Sequence, residues 1–130
     1  MQYEIAPEIK KTVDVLIDRL KFSFIKKTSV YCIRSFDAKT RAIARIWGMS
    51  RLFAEVAGLT PTYIIEVNAK RFDKLGERDK IKTLIHELMH IPKTFSGALL
   101  SHRGRYHRIN DKEVEKVLAL LRPVKRDYGG

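Results

Sequence analysis

Leu84-Ile85-His86-Glu87-Leu88-Met89-His90-Ile91-Pro92 is the stretch from which the rest of this 130-residue chain is read. It carries His-Glu-x-x-His at the end of a helical pattern. Histidines four apart lie one turn above each other on one helix face, so both rings can reach a single metal ion. Glu87 sits beside them, where a carboxylate can take a proton from water. From Glu77 to Ile91 the apolar residues Ile81, Leu84, Ile85, Leu88 and Met89 follow one helical stripe. At roughly 100° per residue, His86 and His90 point almost opposite to that stripe. Histidines that serve a core belong on the stripe, so the spacing favours a metal site over a buried hydrogen-bonded pair or a solvated face.

A catalytic zinc takes three protein ligands and leaves a fourth position for water. All four histidines of the chain fall between His86 and His107. The third ligand is therefore His102, His107, or a carboxylate from Asp111, Glu113 or Glu115. His102 is favoured, because Pro92-Lys93-Thr94-Phe95-Ser96-Gly97 before it is long enough to turn the chain back over the site. The expected chemistry is peptide hydrolysis with one Zn2+ and Glu87 as general base. Arg103, Arg105, Tyr106 and His107 are the nearby candidates for donating to a developing oxyanion.

The same residues carry a resemblance. His86-Glu87-Leu88-Met89-His90-Ile91-Pro92, then Phe95-Ser96-Gly97 and His102, resembles a metallopeptidase family of phages and archaea related to the SprT-like zincins. Ala44-Arg45-Ile46-Trp47, Tyr63-Ile64-Ile65-Glu66-Val67 and Phe72-Asp73 are similar to the family's segments before the active helix. The likeness covers roughly residues 40–121. The family tends to place Arg-Pro before the ligand histidine, where this chain has Leu100-Ser101, so no role of that pair carries over. The resemblance implies a zincin-like α+β domain, a metal held by His86, His90 and His102, and peptide or protein substrates. It also implies that the strand before the active helix edges the substrate cleft. Tyr63, Ile65 and Val67 are then the candidate substrate-edge residues, with a fully buried strand as the other reading.

Composition bounds the rest. At this length one domain over residues 1–130 is expected, with a small mixed or antiparallel sheet packed on the active helix and flanking helices. Pro7 to Leu20 predicts a helix through Ile9, Val13, Leu16, Ile17 and Leu20. Ser29–Phe36, Arg41–Met49 and Thr62–Val67 read as strands, with Trp47 in the core. Ser50 caps a short helix that Gly58 ends, and Asn110 with Glu113 forms a capping box for a last helix. Asp73 caps a turn or orients a ligand histidine. Residues from about 122 read as a loose basic tail.

One cysteine, Cys32, excludes an internal disulfide and fits a reducing cytoplasm. The start Met1-Gln2-Tyr3-Glu4 has no signal-peptide pattern, and no apolar run reaches transmembrane length. The net charge is +11. Between Asp18 and Glu55 the only acid is Asp37, and none lies between Glu87 and Asp111. A surface this basic draws nucleic acid or acidic peptides. The competing class is thus a non-catalytic, DNA-associating module with a structural or vestigial metal site. A solvated lysine- and arginine-rich surface is the favoured explanation of the charge, because no nucleic-acid-binding motif accompanies it. The spacing says nothing about oligomeric state.

Overall fold

The computed structural model describes residues 1–104 and 108–121. Its elements in order are β1 (Tyr3–Ile5), α1 (Pro7–Arg19), β2 (Val30–Ser35), β3 (Ala44–Gly48), α2 (Arg51–Ala57), β4 (Tyr63–Asn68), α3 (Ala69–Phe72), α4 (Glu77–Leu88) and α5 (Asp111–Ala119). The expected tail from 122 lies outside the described residues. No described helix is long and apolar enough to cross a membrane.

Local chemistry sets the element boundaries. Pro7 opens α1, where its missing N–H costs nothing, and Ile9, Val13, Leu16 and Ile17 are its buried stripe. The Ser50 side chain accepts from the Phe53 N–H at 3.2 Å, and Gly58 closes α2 at a φ of 67°, a left-handed backbone that suits glycine. The Asn110 side chain accepts from the Glu113 N–H at 2.9 Å and starts α5.

The strands form one sheet in the order β1-β2-β4-β3. β2 and β4 run parallel, and the outer pairs are antiparallel. The fold is therefore α+β with a mixed sheet. Alternation along the strands puts Val30, Cys32, Tyr63, Ile65 and Val67 on one face. There they join Ile9, Val13, Leu16 and Ile17 of α1 and Leu84, Ile85 and Leu88 of α4 in a single core. Cys32 is a core residue whose thiol is pushed up to about 12, chiefly by burial.

Two expectations change, and one of the two readings of Asp73 falls away. β4 is hydrogen-bonded on both sides and is buried along most of its length, so Tyr63, Ile65 and Val67 are not a substrate edge. The free edge near the active helix belongs to β3. Strand order is a long-range property: β2 pairs with β4 and displaces β3 to the outside. Trp47 is not in the core. It alternates with Ile46 onto the helix-free face, where it is 47% exposed and donates through Nε1 to Glu66 at 2.9 Å. Asp73 orients no histidine. Its carboxylate accepts from the Arg34 guanidinium at 2.9–3.2 Å.

Candidate metal centre and active site

α4 presents the motif and ends inside it. The His90 N–H bonds to the Glu87 carbonyl at 3.1 Å, and the Ile91 N–H to that of Leu88 at 3.1 Å. This is the tighter three-residue spacing of a closing turn. Pro92 is the cause, since it disfavours helical backbone at the residue before it. The rings of His86 and His90 remain neighbours, with centroids 5.2 Å apart.

His102 is brought back to them. Its ring centroid lies 5.1 Å from that of His86 and 4.6 Å from that of His90. The Nε2 atoms of His86 and His102 are 3.1 Å apart, and one ring nitrogen from each of the three lies within 4.8 Å of the others. Two ligands of a tetrahedral ion with bonds of ~2.1 Å sit roughly 3.4 Å apart, so this spread suits one ion after small torsional adjustment. The donor set fits as well. His86 is pushed down to about 4, first by burial and then by His90 and His102, so it is neutral near pH 7. His90 Nδ1 lies 2.5 Å from the Leu100 carbonyl. A carbonyl can only accept, so Nδ1 carries the proton and Nε2 is the nitrogen with the lone pair for a metal.

The carboxylate candidates are engaged with cations. Asp111 pairs with Lys82 at 2.7 Å, Glu115 with Lys82 at 2.6 Å and with Arg78, and Glu113 with Lys116 at 3.1 Å. Arg103 lies in an exposed bridge with Arg108. His107, Tyr106 and Arg105 lie outside the described residues.

Glu87 is 7% exposed, and burial pushes its carboxyl up to about 8. A cation bound beside it acts in the opposite direction and favours the carboxylate. With His86 it lines a cleft of about 550 Å³ whose walls include Ile43, Ala44, Leu75 and Val114. Ala44 starts β3 and Ile43 directly precedes it, so the free sheet edge begins beside His86.

The loop that delivers His102 is held at several points. The Leu100 N–H bonds to the His90 carbonyl at 2.8 Å. The Tyr63 hydroxyl accepts from the Gly97 N–H and donates to the Ala98 carbonyl, both at 2.8 Å. The ring of Phe95 packs 5.0 Å from that of Tyr63. Gly48 and Gly97 touch back to back: a β-carbon at Gly48 would run into the Gly97 carbonyl, and one at Gly97 into that of Met49. This loop also explains why His90 is only 8% exposed although it lies off the apolar stripe of α4. Sequence reasoning missed the Leu100 carbonyl and the Tyr63 hydroxyl. A backbone acceptor leaves no signature in a sequence, and Tyr63 reads as any strand tyrosine.

One comparison with known proteins gives a family. The model of a family described as "Putative phage metallopeptidase" matches residues 1–123. The chain belongs to this family. The match takes in all three histidines, Glu87 and the strands that carry the cleft. No curated protein and no solved structure matches the chain.

Membership in a metallopeptidase family gives the Tyr63 clasp a testable consequence. Tyr63→Phe keeps the ring on Phe95 and removes the hydroxyl from two loop backbone groups. Metal affinity is expected to fall by about 10–100-fold, as when a group that orients a ligand is lost. The melting temperature should drop modestly, by what one or two buried hydrogen bonds contribute. Competition with a chromophoric chelator measures the first. An unchanged affinity would show that the loop holds His102 without the hydroxyl.

Proposed function

We propose that this chain is a zinc-dependent peptidase in which His86, His90 and His102 hold one ion and Glu87 is the general base. The observation that supports it best is the convergence of three imidazoles, one on a depressed pKa and one with its tautomer set, beside a buried carboxylate in an open cleft. Three imidazole ligands without a fourth protein ligand among the described residues match a catalytic site better than a structural one.

A zinc ion held by His86, His90 and His102 would supply Lewis acidity to the water and the carbonyl of the reaction. The protein's own groups do the remainder. Glu87 takes a proton from the attacking water onto a carboxylate oxygen and passes it to the leaving amine. The Leu100 carbonyl holds the His90 ring in orientation. Leu75 and Val114 add apolar surface to the wall of the cleft that Glu87 lines.

β3 is the part of the protein best placed to align a peptide. The Asn68 N–H bonds to the Ile43 carbonyl at 2.8 Å, and the Met49 N–H to that of Thr62 at 3.0 Å. That register turns the N–H and C=O of Ala44 and Ile46 away from β4 and along the free edge. An extended substrate adds there as a further strand. Ala44→Pro deletes one edge donor and no bond to β4. It is expected to lower kcat/KM several-fold, the worth of about one hydrogen bond, at constant zinc content. An unaltered kcat/KM would remove β3 from substrate binding.

The reading as a whole is tested by zinc reconstitution. Protein loaded with one equivalent of zinc should cleave an unfolded general substrate such as casein. A chelator should stop cleavage, and added zinc should restore it. Zinc-loaded protein that leaves casein and unstructured peptides intact would count against a peptidase.

A further inference from the structure

The core uses only one face of the sheet. Strand alternation places Tyr3 and Ile5 of β1, Tyr31, Ile33 and Ser35 of β2, Ile64, Glu66 and Asn68 of β4, and Arg45 and Trp47 of β3 on the other. Met1 joins them, with its sulfur 3.9 Å from the Arg45 guanidinium. Five large apolar side chains on this face stand well out of the protein: Met1 62%, Tyr3 58%, Ile5 64%, Tyr31 52% and Trp47 47% exposed. Aromatic side chains offer roughly 150–250 Å² each, so the patch is on the order of 500 Å². That is near the upper limit for a monomer's largest apolar patch. With a polar rim it approaches the ~800 Å² per partner of a stable interface.

Charge distinguishes the occupants. The strand charges on this face are Arg45 and Glu66, paired with each other at 2.9 Å. Glu66 is 1% exposed and also accepts from Ser35 Oγ at 2.7 Å and Trp47 Nε1 at 2.9 Å. The Arg45 guanidinium lies 4.8 Å from the Trp47 ring centre. The face is thus electrically balanced and its polar groups are internally matched, on a chain of net charge +11. Its one strand cation among the described residues, Arg45, is already paired, so the strands offer phosphates little, and two copies of so basic a protein meet here with less repulsion than elsewhere. Ile33, Ser35, Glu66 and Asn68 form a recessed centre, with Tyr31 and Trp47 raised at one end and the β1 side chains along one side.

We propose that this face is a homodimer interface in which two copies pack sheet on sheet about a two-fold axis, leaving both zinc sites and both β3 edges outside the contact. The inference is independent of the catalytic reading. Trp47 is the chain's sole tryptophan, so its fluorescence reports on this face alone.

Sedimentation of the full chain between about 1 and 100 μM should show a species of twice 15.1 kDa, with Trp47 emission shifting to the blue as it forms. Tyr3→Lys with Tyr31→Lys places like charges against their symmetry mates. It should weaken association by about 100-fold or more while circular dichroism and melting stay those of the parent. Val56→Lys, at an exposed apolar residue of α2 away from the strands, should leave the dimer intact. A monomer throughout that range, or a dimer that survives the double substitution, overturns the proposal. So does a monomer whose Trp47 emission is quenched by a single-stranded oligonucleotide, which would make the face a stacking platform instead.

Discussion

Glu87→Gln is expected to lower kcat/KM by about 10²–10⁴-fold while zinc remains at one ion per chain. Glutamine has the size and shape of glutamate but cannot take a proton, and the removal of a positioned base costs about that much. Zinc should persist because Glu87 is beside the three imidazoles and not among them. The same substitution has an opposite effect on stability. In metal-free protein, burial raises the Glu87 carboxyl to about 8 from the ordinary 4.5. Between those values the unfolded chain has released a proton that the folded chain keeps. The contribution to stability therefore falls as pH rises through that window and levels off above it. Glutamine has no such dependence. Metal-free Glu87→Gln should melt above the parent at pH 8, by up to a few kcal/mol of stability, and the difference should vanish near pH 4. Paired melting curves at the two pH values check the sign.

His102→Ala is expected to weaken zinc binding by more than about 100-fold, beyond the usual loss from an orienting group. His90→Ala should do the same. Asp111→Ala is the informative companion. Asp111 lines the same cleft and was a ligand candidate on spacing, but its carboxylate faces Lys82. It is a solvent-screened surface pair and not a ligand, so its loss should leave affinity within a few-fold of the parent. Equilibrium dialysis or chelator competition on the three variants separates the assignments. A zinc affinity that survives His102→Ala would move the third ligand to another residue.

What the chain reveals by itself divides along the range of the forces involved. α1, the capped starts of α2 and α5, and the two histidines of the helix are legible because each depends on residues within about a turn of one another. His102 is reachable by counting loop residues and ligand chemistry. The position of β4 is not, because nothing local distinguishes a central strand from an edge strand when β2 pairs past β3. Trp47 fails for a related reason: in an isolated strand a large aromatic suits either face, and only the placement of the helices decides which is buried. The burial of His90 likewise depends on Leu100 and the glycine contact at Gly48 and Gly97, which bring a distant loop over a helix face that reads as solvent-exposed.

X-ray absorption at the zinc edge of the reconstituted protein bears most directly on the centre. Three imidazole nitrogens and one oxygen at roughly 2.0–2.1 Å are expected, with the oxygen contribution changing on addition of a hydroxamate. A fourth protein ligand such as His107 closing the coordination shell, or only two imidazoles on the ion, would contradict a catalytic zinc at His86, His90 and His102.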